Sequence, residues 1–214
     1  MNDKSFRMNG LEKSFSFDLS GGLLCLDFAN TVSDRSSGRE NEHLRRFLDL
    51  VSFAKQVGLI SEEQAWRLVS SANRHPKDAA TVLEQAIALR ESIYRLFSDV
   101  AGGRQARDED LATLNRALSE SLKRLRVQRQ SRRFEWAWQD QSEALDQMLW
   151  PVARSAAELL TSEELSAVRE CAAETCGWLF LDRSRNQSRR WCDMKVCGNR
   201  SKARRHYQRS RGTL

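Results

Sequence analysis

Two cysteine pairs near the C-terminus constrain this chain more than any other feature. Cys171 and Cys176 are separated by four residues, Cys192 and Cys197 by four more, and fifteen residues lie between the pairs. Short-spaced pairs joined by an insert suit a tetrahedral zinc site. Each pair turns a tight knuckle whose thiolates face one ion, and the insert brings the knuckles together. With cysteine at all four positions no place is left for a water, so the expected ion is one structural Zn²⁺ per chain rather than a catalytic one. Redox-active thiols, an iron–sulfur centre or merely buried thiols are the alternatives for the same pattern. The fifth cysteine, Cys25, stands alone in Leu23-Leu24-Cys25-Leu26 and is expected to be a small buried hydrophobe.

Charge is concentrated where the cysteines are. The net charge is +6, but residues 182–214 hold eleven Lys or Arg against two Asp or Glu, a net of +9, leaving −3 for the rest. Four thiolates on one Zn²⁺ subtract about two charges, and the tail stays clearly positive. Localised basicity of this kind is the electrostatic footprint of a phosphate-binding surface. The candidate contacts are Arg189, Arg190, Lys195, Arg200, Lys202, Arg204, Arg205 and Arg209. Arginine suits phosphate forks and bidentate contacts to guanine. Trp178, Phe180 and Trp191 are expected to form a small apolar core beside the metal, which leaves them unavailable for base stacking and favours duplex DNA over single strands or RNA. His206 is expected on the surface of the basic segment, not as a ligand.

The composition, 40% hydrophobic and 30% charged, is that of a soluble globular protein. No apolar run approaches the ~20 residues of a membrane span, and Met1 to Phe17 lacks the apolar centre of a signal peptide. The expected compartment is the reducing cytoplasm, where paired cysteines favour metal over disulfide.

Periodicity predicts a mainly α fold with a small β-hairpin. After a frayed leader over residues 1–13, Phe15–Leu19 alternates like a short strand, and Leu23–Val32 is an apolar run interrupted at helical offsets by Asp27, Asn30 and Thr31. A polar loop is expected over Ser33–Asn41. Helices are expected from about Glu42 to Val57, from Ser61 with a capping box to Gln64, from Pro76 to Gly102-Gly103, and from Asp108 with Leu111, Leu114, Leu118 and Leu122 inward. Alternation over Leu125–Val127 and Phe134–Trp138 predicts a hairpin whose aromatic face packs against the helices. A helix kinked at Pro151 is expected over Ser142–Leu160, then a short one opened by a Thr161/Glu164 capping box and leading into Cys171. The C-terminal part reads as a knuckle, a strand from Trp178, a turn at Ser184–Ser188, a second knuckle and a helix from Asn199. That is a treble-clef-like finger, with a zinc ribbon and a disordered basic tail as the alternative. The division is a helical domain over 1–165 and the finger over 166–214, without a linker, so the finger is expected to dock.

Cys192-Asp193-Met194-Lys195-Val196-Cys197-Gly198-Asn199-Arg200, followed by Lys202 and Arg204-Arg205-His206-Tyr207, resembles the CGNR zinc finger, and Cys171, Cys176, Trp178, Phe180 and Asp182 match its first half. Leu26-Asp27-Phe28-Ala29-Asn30-Thr31 and the helical stretch behind it resemble the ABATE domain that precedes this finger. The resemblance implies a bacterial, stress-induced transcription regulator. It covers nearly the whole chain.

The leading expectation is a zinc-dependent DNA-binding regulator whose N-terminal domain senses a small-molecule effector or forms a homodimer. RNA or ribosome binding and a protein-interaction module are the alternatives. Asp27, Asn30 and Thr31, with His43 nearby, are candidates for lining a ligand pocket. No nucleophile–base pair, phosphate loop or open metal site argues for an enzyme.

Overall fold

The computed structural model describes residues 15–139 and 144–211; the leader at 1–13 and the residue expected to open the sixth helix, Ser142, lie outside them. Seven α-helices and three two-stranded antiparallel pairs make up the described chain. α1 (Leu24–Ala29) is short and nearly enclosed, with Cys25, Leu26, Phe28 and Ala29 buried. It packs against α4 (Pro76–Ala101), α6 (Leu149–Leu160) and β6 (Leu179–Leu181). Around it Phe53, Leu89, Ile93, Leu96 and Phe97 complete the main core, which also takes in Val168, Leu179 and Leu181 from the cysteine-bearing end.

Several elements differ from their periodicity. Phe15–Leu19 forms no strand; the Phe17 N–H and carbonyl pair with the Gln56 side chain instead, at 2.8 and 2.6 Å, while its ring joins the core. The polar loop is closed by β1 (Val32–Ser33) against β2 (Asn41–Glu42). Residues 42–46 are therefore not helical, and α2 runs over Phe47–Gln56, its first turn capped by Asp49 accepting from the Arg46 N–H at 2.8 Å. α3 (Glu62–Arg74) has the expected reciprocal box: Ser61 N–H to Gln64 at 2.7 Å and Gln64 N–H to Ser61 at 3.2 Å. α4 starts at Pro76, where the missing N–H costs nothing.

α5 (Asp108–Leu122) buries Leu114, but Leu111 and Leu122 remain 43% and 49% exposed. α6 begins at Leu149, so Pro151 lies in its first turn, where no intrahelical N–H is required and no kink results. The Thr161/Glu164 box does not form. Thr161 donates back to Ala157 at 2.9 Å, Glu164 pairs with Arg183, and a 3-10 turn spans Glu163–Ala167.

The hairpin forms as β3 (Leu125–Gln130) and β4 (Arg133–Trp138), with Val127 opposite Trp136. Its aromatic face is not buried. Val127, Phe134 and Trp136 are 58%, 67% and 59% exposed, because the hairpin packs on the helices chiefly at its base, through Trp138 against Trp150, with Arg154 of α6 alone laid over Trp136 among the described contacts.

Candidate metal centre and the basic surface beside it

The first cysteine pair sits on a hairpin. β5 (Val168–Glu170) pairs antiparallel with β6, Val168 opposite Leu181, and the eight residues between them turn the knuckle. The Cys171 N–H donates to the Trp178 carbonyl at 2.8 Å, continuing the ladder into the loop. The expected strand after Cys176 is thus present, and it pairs backward with a strand preceding Cys171. Leu179 and Leu181 belong to the main core, whereas Phe180 faces the cysteines with Trp178 and Trp191 packed beside it. One strand is a wall of both clusters, which is why all three residues are buried.

The return to the second pair is organised by Asp182, which is fully buried. Its two carboxylate oxygens accept from the Ser184 N–H at 2.9 Å and the Arg189 N–H at 2.8 Å, folding the intervening turn. Burial pushes this carboxyl up, but those hydrogen bonds hold it below the usual range. The Ala172 N–H then donates to Arg190 at 2.8 Å. Asp193 accepts from the Val196 N–H at 2.8 Å and opens a π turn over Met194–Gly198 that carries Cys197. α7 (Asn199–Arg211) follows directly.

The four sulfurs converge. All lie within 4.8 Å of one another, with Cys176 to Cys192 and Cys192 to Cys197 at 3.7 Å. A tetrahedron with arms of about 2.3 Å has edges of about 3.8 Å, so the spacing fits Zn²⁺. All four cysteines are buried and none is in a disulfide. As bare thiols they oppose one another's ionisation. Hydrogen bonds from Cys176 and Cys192 draw Cys171 down, while hydrogen bonding to Cys171 pushes Cys176 and Cys192 up, and burial pushes Cys197 up. A divalent cation is what allows four thiolates to share this space. Cys25 is apart from them in the main core, its thiol raised to about 12 by burial.

The first knuckle is fastened to the helical body. Asn30 donates to the Leu179 carbonyl at 2.8 Å and accepts from the Leu179 N–H at 2.9 Å, acting as one more strand partner. Trp178 Nε1 donates to Val32 at 2.7 Å, the Tyr94 hydroxyl to Gly177 at 3.0 Å, and the Arg35 N–H to Cys176 at 3.2 Å. Gly177 has φ +66°, and a Cβ there would meet Ser36 Oγ at 2.7 Å and Arg35 Cβ at 3.2 Å, so both backbone and packing select glycine. Beneath it Arg35 stacks 3.9 Å over Tyr94 and forks onto Glu91, which Arg90 also contacts while gripping Glu42 at 2.6 and 2.7 Å. Burial pushes Glu42 up, but Arg90 outweighs it and holds that carboxyl low.

Residues 22–163 match the ABATE family, described as "putative stress-induced transcription regulator", and residues 167–210 match the CGNR zinc finger. The chain belongs to the ABATE family. A comparison with curated proteins finds no match. In this ABATE protein the finger's four cysteines, brought within ion-binding distance, assign one structural zinc. Neither matched family is an enzyme family.

The basic candidates separate into two groups. Arg189 is structural in its contacts: its guanidinium donates to the Trp191 and Cys192 carbonyls and lies 4.7 Å over Phe180. Arg190 stands 5.7 Å over Trp191. Arg200 donates to Thr175 at 3.1 Å and lies 4.0 Å from Asp34, and Arg204 pairs with Glu174, so both seat α7 on the first knuckle. Lys195, Lys202, Arg205 and Arg209 are exposed. Lys202, Arg205 and Arg209 fall on one face of α7 at three- and four-residue offsets, and His206 is exposed on the same helix.

Asp27, Asn30 and Thr31 are brought together, with their polar atoms engaged inside the protein. Asp27 accepts from the Gly21 N–H at 2.8 Å, Asn30 clamps Leu179, and Thr31 donates to Phe28 at 2.8 Å. Burial raises the Asp27 carboxyl to about 6. His43 bonds Ser33 at 3.0 Å and stacks on Phe15. Sequence reasoning missed Asn30, Tyr94, Arg35 and Asp182 as the residues that hold the finger. The partners of Asn30 and Tyr94 lie 149 and 83 positions away, beyond any local pattern, whereas Asp182 closes a turn only seven residues long.

Proposed function

We propose that this protein is a zinc-dependent, DNA-binding transcription regulator acting in the bacterial cytoplasm. The finger, over 166–214, contacts duplex DNA, and the helical domain, over 1–165, oligomerises or receives a small-molecule signal. The observation that carries this reading is α7, which holds Arg200, Lys202, Arg204, Arg205, Arg209 and Arg211 and no acidic residue. Lys202 and Arg205 are like charges three residues apart on an exposed face, an arrangement unfavourable in isolation and relieved by a polyanion. A helix of this width can lie in the major groove, where arginine reads guanine. No described helix is long and apolar enough to cross a membrane.

A signal received at Asp27, Asn30 and Thr31 would act by competing with their internal hydrogen bonds, and the Asn30 bond is one that holds the metal knuckle. Binding of the zinc-loaded chain to duplex DNA across a salt series tests the proposal. Affinity should fall with salt, and Lys202→Gln with Arg205→Gln should weaken it on every sequence, lowering the salt slope by about 0.9 per cation removed. Affinity indifferent to both salt and these substitutions would overturn it. Enrichment of RNA rather than DNA on crosslinking would reassign the substrate.

A further inference from the structure

The β3–β4 hairpin is a second basic surface, far along the chain from the finger. Residues 123–138 carry Lys123, Arg124, Arg126, Arg129, Arg132 and Arg133 against one carboxylate, Glu135. Glu135 is bonded by Gln128 at 3.0 Å, and no described carboxylate pairs with Arg129, Arg132 or Arg133. Alternation places Val127 and Arg129 on one face with Phe134, Trp136 and Trp138. Arg129 lies 5.4 Å over Phe134, and Arg154 from α6 lies 5.3 Å over Trp136, so exposed rings and guanidinium groups are interleaved. The face runs down to Trp138, which with Trp150, Leu59, Gln64 and Arg67 lines an open cleft of about 330 Å³.

An arm of this kind is costly to leave uncovered, since apolar rings gain by burial. Charge decides what covers it. A second copy would bring Arg129 and Arg154 against their own mates, and the contact that α6 makes above Trp138, Arg154 over Trp136, leaves that ring 59% exposed. Arginines without carboxylate partners beside exposed aromatic faces are the two components of single-strand recognition, phosphate neutralisation and base stacking. We infer that the hairpin binds a nucleic-acid strand with unpaired bases, with Arg129 and, at the turn, Arg132 on phosphates and Phe134 and Trp136 against bases. The fold supports the arm at its base, through Trp138 on Trp150 and the Gln139 N–H to Arg124 at 2.7 Å, and leaves its far end clear. This goes beyond the assignment of duplex DNA to α7 and does not rest on it.

The test uses the full zinc-loaded chain and labelled oligothymidine of about 20 nucleotides, long enough for one such site. The matching duplex and phosphatidylserine vesicles serve as comparison probes. Phe134→Ala with Trp136→Ala should weaken single-strand binding by at least about tenfold, and Trp136→Phe alone should keep most of it. Because these side chains are exposed, the helical circular dichroism and the zinc content should not change. Arg129→Gln and Arg132→Gln together should lower the single-strand salt slope by about 0.7 per arginine. Unchanged single-strand affinity in both variants would overturn the inference. So would a dimer that the aromatic variant dissolves without affecting oligothymidine, or vesicle binding lost in its place. Lys202→Gln with Arg205→Gln should spare the oligothymidine contact made by the hairpin, so failure on α7 and failure on the hairpin read out separately.

Discussion

Both cysteine pairs span the same four intervening residues, yet their surroundings have little in common. Cys171 and Cys176 lie on a hairpin whose strands are walls of the main core, with Asn30, Trp178, Tyr94 and Arg35 bonding the knuckle to the helices. Cys192 and Cys197 lie on a turn held by Asp182 and Asp193, leading into a helix whose contacts include its own knuckle, Thr175, Asp34 and Glu174. The first half of the centre is fastened to the helical body by hydrogen bonds that do not involve the ion, whereas the second is held by its own turn and a few side-chain contacts, so it should depend more on the ion. A module this small gains most of its stability from its metal, but here that dependence falls unequally on the two halves.

Removing a ligand from the dependent half should give the largest effect. Cys197→Ser should abolish the single zinc per chain and expose residues 183–211 to protease, while the helical body keeps its cooperative unfolding transition. Zinc content by elemental analysis, with limited proteolysis, checks this. Simultaneous loss of the body would show that the halves are equally dependent.

Asn30→Ala attacks the fastened half from the body's side. It strands the buried Leu179 N–H and carbonyl, for a cost of about 2–4 kcal/mol in chemical denaturation. Retention of zinc against a chelator should fall as well, because Leu179 continues the strand that carries the first knuckle.

The smallest effect is a pH dependence that runs in opposite directions in the two regions. Asp27 has its folded value raised to about 6 by burial, from an ordinary value of 3.8. The folded chain therefore binds the extra proton between those values, so this group's contribution to stability is fully present below pH ~4 and is lost as pH rises through ~6. Asp27→Asn keeps an acceptor for the Gly21 N–H and should stabilise the body at pH 7.5 with no gain at pH 3.5, as thermal unfolding at the two values would show. The zinc centre responds the other way, since protons compete with the ion for thiolates and acid releases it.

Much of this was legible in the chain. The four ligands followed from spacing alone, Cys25 from its leucine neighbours, and α3 and α4 from a capping box and an N-terminal proline, because each of these signals is local. Two of the failures were of one kind. Leu111 and Leu122 carry a helical period but face solvent, and the hairpin's aromatic alternation promised burial that only Trp138 and its base obtain. Periodicity says which residues share a face; it does not say whether another element is present to cover it.

By itself, the sequence determined the donor set for zinc, the concentration of arginine beside it and the identity of most helices, since ligand chemistry, charge and helical phase are written residue by residue. Only the tertiary structure decided that β6 serves two cores, that Asn30 and Asp182 are structural clamps, and that Arg189 is tied to the Trp191 and Cys192 carbonyls while Lys202 and Arg205 face out. Those assignments depend on which distant backbone groups are left needing partners once the chain has folded, and the four thiolates of the centre are only the most concentrated instance of it.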